Sequence, residues 1–124
     1  MTGVVVVDTS IIIDHFRTYK KDKPTIFVNL LEKYEKIYFC AISIAEIFSG
    51  KSAAKNEEKI RQLFNLGEII NLTPKLMEKA GKIRREIEIS LIDAIIAASA
   101  LELNLSLATL NKKDFKKIKG LTLI

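Results

Sequence analysis

Four carboxylates stand where the chain changes from one kind of segment to another. Asp8 follows the valine run Val4–Val7 and precedes a second apolar run, Ile11–Ile13. Glu46 ends the stretch Ser43-Ile44-Ala45-Glu46, Asp93 the stretch Ser90-Leu91-Ile92-Asp93, and Asp114 the stretch Asn111-Lys112-Lys113-Asp114. The last three share the spacing of a helix-capping box, and an acid in a first helical turn gains about 0.3–1 kcal/mol from the helix dipole. Taken singly, capping is the favoured account of each. Asp8 resists it, because Thr9 or Ser10 could cap the following helix without a charge on the core side. Asp93 resists it too, embedded as it is in Leu91-Ile92-Asp93-Ala94-Ile95-Ile96. An unpartnered buried carboxylate is costly, so these acids need something to pair with.

If they converge, the chemistry narrows. Two carboxylates about 4 Å apart repel by about 4 kcal/mol at an effective dielectric near 20. Either some of them protonate or a cation sits among them. An all-oxygen set selects Mg²⁺ or Mn²⁺, and the single histidine, His15, and single cysteine, Cys40, leave no zinc set. Such a metal activates water and polarises phosphate oxygens. The net charge of +5, from 20 Lys+Arg against 15 Asp+Glu, suits a polyanionic partner. Composition of this kind also serves heat-adapted surfaces, so charge alone does not decide. Lys112, Lys113 and Lys116, with Lys117 and Lys119, are candidate nucleic-acid contacts or a solvated helix face. Together these features point to phosphodiester hydrolysis.

The elements that must position the acids alternate. Val4–Val7 reads as a strand buried on both faces, followed by a helix over Ser10–Arg17 and a polar loop at Lys20–Lys23. Pro24 suits the first turn of a second helix whose apolar face is Ile26, Phe27, Leu30, Leu31 and Tyr34. Strand two is Ile37–Ile42, followed by helices over Ser43–Phe48 and Glu57–Leu66, the latter closed by Gly67. Strand three is Glu68–Leu72. Thr73-Pro74 then opens a helix burying Leu76, Met77, Ala80, Ile83 and Ile87. Leu91–Leu103 is a central helix ended by Asn104 in a left-handed conformation. Strand four is Leu105–Thr109, with a helix over Lys112–Ile118 and a last strand at Leu121–Ile124. The pattern gives one α/β domain over residues 1–124, a parallel β-sheet flanked by helices in three layers. Ligands of such sheets sit beyond the carboxyl ends of the strands, where Asp8 lies. No apolar run approaches the roughly 18 residues that span a bilayer, and no signal peptide is expected. With one cysteine in an apolar run, the expectation is a cytoplasmic, disulfide-free protein.

Val4–Val7-Asp8-Thr9-Ser10, Ser43-x-x-Glu46-x-x-x-Gly50, Asp93-Ala94-Ile95-Ile96-Ala97-Ala98 and Ala108-Thr109-Leu110-Asn111-Lys112-Lys113-Asp114-Phe115 occur in an order that resembles the PIN-domain nucleases, specifically the VapC-type toxins. The similarity runs over nearly the whole chain. What it implies is a PIN-like fold and a metal-dependent endoribonuclease, with Asp8, Glu46 and Asp93 holding Mg²⁺ or Mn²⁺. It implies a fourth site residue from Asn111 or Asp114, the latter favoured for its charge, and Ser10 and Thr109 close by. It further implies an RNA substrate, a homodimer and a small antitoxin partner. Arg84–Ser90 departs from the pattern, being shorter and lacking the glycine-containing loop that often precedes the third acid.

Two other readings compete. A receiver-type phosphoryl-transfer domain wants paired acids after strand one and an aspartate after strand three, where this chain has Asp8-Thr9-Ser10 and Thr73-Pro74. A non-catalytic binding domain would use its acids only as caps. Ser10, Asp14 and His15 form a poor relay, since adjacent helical residues point about 100° apart. His15 is expected to be structural and Cys40 a small core residue.

Overall fold

The computed structural model describes residues 3–124. Four strands, β1 (Val4–Val7), β2 (Lys36–Cys40), β3 (Glu68–Ile70) and β4 (Ser106–Ala108), pair in parallel in the order β3-β2-β1-β4. The period-two geometry of a strand sends alternate side chains to opposite faces. Val5 and Val7 enter one core with Phe39 and Ile37, while Val6 and Cys40 enter another. Both faces are covered, which is why the strands read as unbroken apolar runs.

Helices α1 (Thr9–Thr18), α2 (Ile26–Lys33) and α4 (Glu57–Phe64) supply the first core through Ile11, Ile12, Phe27, Leu30, Ile60, Leu63 and Phe64, and α3 (Ala41–Phe48) packs Ile44, Ile47 and Phe48 against it. Helices α5 (Pro74–Glu86) and α6 (Leu91–Glu102) supply the second through Leu76, Ala80 and the run Ala94–Ala98. Phe115, from the four-residue α7 (Lys112–Phe115), anchors the chain after β4 in that same core. The expected three-layer parallel α/β architecture is therefore present.

Several boundaries differ from the sequence reading. Helix α3 begins at Ala41, directly after β2, because two apolar faces already await Ile42, Ile44 and Ile47. Thr25 caps α2, accepting a hydrogen bond from Val28 N–H, so Pro24 precedes the cap and does not lie in the first turn. A 3₁₀ turn at Lys51–Lys55 was not expected. Met77 is exposed rather than buried, and α7 stops at Phe115. The expected last strand is reduced to one parallel bridge between Leu107 and Leu123. Gly67 does more than end a helix: a Cβ there would lie 2.6 Å from Ile37 O and 2.8 Å from Phe39 Cε2. Asn104 is left-handed as expected, with φ of 54°.

Candidate active site

Asp8 occupies the N-cap position of α1 but makes no capping bond. Its N–H donates to Ala108 O at 2.9 Å, so β1 and β4 stay paired to the very end of the strand. The residue is 3% exposed. Oδ2 accepts from the Ser10 hydroxyl at 2.6 Å and from the Thr109 hydroxyl at 2.6 Å. Those hydroxyls in turn accept from Leu110 N–H and Asn111 N–H. Both hydroxyl protons are committed to Asp8, so the 3.4 Å approach of Ser10 to Thr109 is a contact without a shared proton. Oδ1 takes no hydrogen bond among the described residues, and no buried side-chain oxygen there lacks a partner. Oδ1 is thus the atom through which Asp8 meets solvent.

Glu46 reaches the same region from α3. The Thr9 hydroxyl donates to its Oε1 at 2.6 Å. With that proton used, Ser43, buried inside α3, donates its own to Thr9 Oγ1 at 2.8 Å. Ser43 is therefore not an N-cap, and Ser43/Glu46 is no capping box. Burial pushes the Glu46 carboxyl above its ordinary value; the Thr9 hydroxyl opposes this and the charge on Asp8 reinforces it.

Asp93 arrives from the opposite layer, in the first turn of α6. Ser90 does cap that helix, accepting from Asp93 N–H at 3.1 Å. The Asp93 side chain is raised by burial first and by the charge of Asp8 next, then by Glu46 and Asp114, with the Ser90 hydroxyl acting against them. Asn111 Nδ2 donates to Asp93 Oδ2 at 3.3 Å and to Asp114 Oδ2 at 3.0 Å. Asn111 is the N-cap residue of α7 yet forms no capping bond, so this third apparent capping box also dissolves. Asp114 is held below the usual carboxylate range, chiefly by Asn111 and further by Lys117 and Lys113.

The structure thus brings Asp8, Glu46, Asp93, Asp114, Ser10, Thr109 and Asn111 to one sheet edge, the carboxyl end of β1 and β4. Lys112, Lys113 and Lys116 are exposed beside it. The sequence reading did not single out Thr9 or Ser43 as site residues, and it grouped Lys117 with the candidate nucleic-acid lysines, not with the acids. For Thr9 and Ser43 the signal lay in the chain: hydroxyl residues in otherwise apolar surroundings need partners. For Lys117 nothing within the lysine cluster signalled its contacts with Asp114 and the Glu88 carbonyl. His15 plays the structural part expected, its Nδ1 lying 2.7 Å from Thr25 Oγ1. Cys40 is buried and free, taking a hydrogen bond from the Ser99 hydroxyl.

Like charge gathered in this way calls for a hard, oxygen-seeking cation, and the donor set fits one. As the side chains stand, no three His, Cys, Asp or Glu residues among those described are arranged around a single ion. Thr9 holds Oε1 of Glu46 and Asn111 holds Oδ2 of Asp93, while the second oxygen of each carboxylate takes no hydrogen bond among the described residues. Glu46 also lines a groove of about 1080 Å³ between α1–α2 and α3–α4. Exposed Ile13, Phe16, Tyr19 and Leu66 line it. No helix among the described residues is long and apolar enough to cross a membrane.

A model of the PIN domain matches residues 5–121. A Rickettsia bellii protein named ribonuclease VapC is 31% identical, over 97% of this chain and 94% of its own. Ribonuclease VapC1 of Methanocaldococcus jannaschii is 28% identical, over 93% of this chain and 81% of its own. Among solved structures, VapBC2 from Rickettsia felis bound to a DNA fragment of its promoter superposes with a TM-score of 0.79 at 25% identity, covering 98% of each chain. A toxin–antitoxin complex from Klebsiella pneumoniae gives 0.79 at 29% identity, covering 97% of this chain and 95% of that one.

Proposed function

This chain belongs to the PIN-domain family, and from that premise we propose that it is a metal-dependent endoribonuclease and the toxin of a toxin–antitoxin pair. The observation that carries the reading is the convergence of acids from separate parts of the chain on one end of the sheet: Asp8 after β1 is bound to Thr109, whose hydroxyl accepts from Asn111 N–H, the Asn111 amide reaches Asp93 on α6, and Thr9 beside Asp8 holds Glu46 on α3. Helix caps have no reason to share one edge or to repel one another. The receiver alternative lacks the paired acids after β1, where hydroxyls stand instead.

PIN-domain VapC nucleases generally depend on a divalent metal; for this chain the oxygen-only donor set favours Mg²⁺ or Mn²⁺. When bound, such an ion would supply the charge that activates a water and polarises the scissile phosphate. Asp8, Glu46 and Asp93 would hold it, with Asn111 or Asp114 completing the site. Ser10 and Thr109 orient Asp8 by occupying Oδ2 and leaving Oδ1 outward. Thr9 orients Glu46 in the same manner. Lys112, Lys113 and Lys116 would hold the RNA backbone. The proposal covers residues 1–124 as one nuclease domain acting in the cytoplasm, as a homodimer whose mass light scattering reads directly.

The antitoxin belongs to the same reading. The groove's exposed Phe16 and Tyr19, with Glu46 in the same lining, suit an apolar segment that also touches one of the acids. Phe16→Asp should then remove neutralisation by a co-expressed antitoxin and leave cleavage intact.

The test of the activity is cleavage of a labelled single-stranded RNA with Mn²⁺, Mg²⁺ or EDTA, beside an identically purified Asp8→Asn protein. Metal-dependent cutting by the wild type alone supports the proposal. Equal cutting by both points to a contaminant, and no cutting with no Mn²⁺-dependent rise in melting temperature overturns it.

A further inference from the structure

Asp93 stands in the first turn of α6, which follows α5 after a connection of only four residues, Ile87–Ser90. The sequence there lacks the glycine-containing loop expected before the third acid. A continuous line of hydrogen bonds runs from that connection to Asp93 by another route. Lys117 Nζ donates to Glu88 O at 3.1 Å and lies 3.4 Å from Asp114 Oδ1. The other oxygen of Asp114 accepts from Asn111 Nδ2 at 3.0 Å, and the same amide nitrogen reaches Asp93 Oδ2 at 3.3 Å. At its foot the line is anchored in the core, since Ile89 and Phe115 are both buried there.

We infer that Lys117, Asp114 and Asn111 form a brace that fixes the Asp93 carboxylate against the short α5–α6 connection, so that Asp114 is a positioning residue and not a metal ligand. This rests on the proposed function above and goes on to divide the fourth site position between two residues. Three features of the geometry require it. Both Asp114 oxygens are engaged, one by an amide and one by a lysine, while Oδ1 of Asp8 takes no such bond. The Asp114 side chain is more than one-third exposed, on the Lys117 side of Asn111. Asn111 does no capping work, so its side chain is committed to the two carboxylates. An amide can hold Asp93 in this way without adding a further negative charge beside the Asp8, Glu46, Asp93 and Asp114 carboxylates. An aspartate at 111 could not donate at all once ionised.

The sign of one substitution separates the brace from simple electrostatics. Lys117→Met keeps the side-chain stem and removes a positive charge close to the acids. If Lys117 were only a counter-charge, its loss should leave Mn²⁺ affinity unchanged or tighten it. If it braces Asp93 through Asp114 and Asn111, affinity should weaken by about tenfold, the size of effect that outer partners of metal ligands commonly have. Mn²⁺ binding is read from the electron paramagnetic resonance signal of the free ion, with RNA cleavage followed in parallel. Lys117→Arg should restore most of the loss. Asp114→Asn, which keeps an oxygen for the Asn111 amide, should weaken binding less than Asn111→Ala, which cuts the line; a direct ligand role for Asp114 reverses that order. Wild-type protein that binds no Mn²⁺ would take the proposed function down together with the brace. Wild-type binding with an unweakened Lys117→Met, or the reversed order, would overturn the brace alone.

Discussion

Replacing Asp8 by Asn should make the metal-free protein more stable. Asp8 faces Glu46 and Asp93, and its charge raises both of them. Two like charges about 6 Å apart at an effective dielectric near 20 repel by about 3 kcal/mol. Glu46 and Asp93 are partly exposed, so screening cuts the total from both pairs to about 2 kcal/mol. Against this, the Ser10 and Thr109 hydroxyls exchange a charged acceptor for a neutral one, a loss of about 1 kcal/mol in all. The net gain is about 1 kcal/mol. Unfolding entropy of about 2.1 cal/mol/K per residue turns that into a rise of about 4 °C for a chain of this length. The assay is thermal unfolding at pH 7 in EDTA, repeated with saturating Mn²⁺ and at lower pH. Mn²⁺ should raise the wild type and leave the variant where it was, since only a bound ligand adds stability by mass action. The pH series has a definite sign. Glu46 and Asp93 are raised in the fold, so they stabilise it below their unfolded values, near 4, and that contribution is lost as pH rises through the raised values. The advantage of Asp8→Asn should therefore open as pH climbs from about 4 to 7. A variant that melts below the wild type in EDTA, with a gap indifferent to pH, would mean the Asp8 charge is satisfied inside the fold and the acids are structural.

Thr109→Val should cost about 2 kcal/mol by chemical denaturation, because a buried hydroxyl leaves both the Asp8 carboxylate and the Asn111 N–H short of a partner. In an Asp8→Asn background the cost should shrink; equal costs in both would show that the two residues are not coupled. Gly67→Ala should destabilise by about 1–3 kcal/mol, since its Cβ would meet the Ile37 carbonyl, yet leave Mn²⁺ affinity per folded molecule unchanged. Changing Lys112, Lys113 and Lys116 together to Gln should lower the salt dependence of binding to an uncleavable RNA by about two units. An unchanged slope would return those lysines to the role of a solvated face.

Sequence patterns revealed most of the layers and less of the site. The valine run and the Ala- and Ile-rich stretch after Asp93 could only be buried on all sides, so strand β1 and the central helix α6 were readable at once. Helix starts were less legible. Three acids mimicked capping boxes because Ser and Asn three residues before an acid satisfy the local pattern whatever the side chains later touch. Only Ser90 turned out to cap. Ser43 and Asn111 were drawn into contacts with Thr9 and with two carboxylates, 34 residues away in the first case. The sequence contained the residue types for the hydroxyl and amide partners, but their pairing depends on β2, β1 and β4 being adjacent. Local spacing carries no information about that adjacency.

That adjacency also explains why a charge can follow four buried valines. The sheet places β1 between β2 and β4, so the residue just after β1 is flanked by the ends of both neighbours. From the β4 side comes Thr109, from the α1 turn Ser10, and together they give one carboxylate oxygen of Asp8 two donors. The other oxygen takes no hydrogen bond among the described residues, and the charge of Asp8 acts on Glu46, reached through α3, and on Asp93, reached through α6. These last two helices pack on opposite faces of the sheet, and only at its edge can side chains from both layers meet. The repulsion collected there is a standing cost to the metal-free fold, offset by two apolar cores on either side of the same strand. A protein that needed Asp8 only to begin a helix would have no use for that arrangement, since serine or asparagine begins helices equally well without the charge.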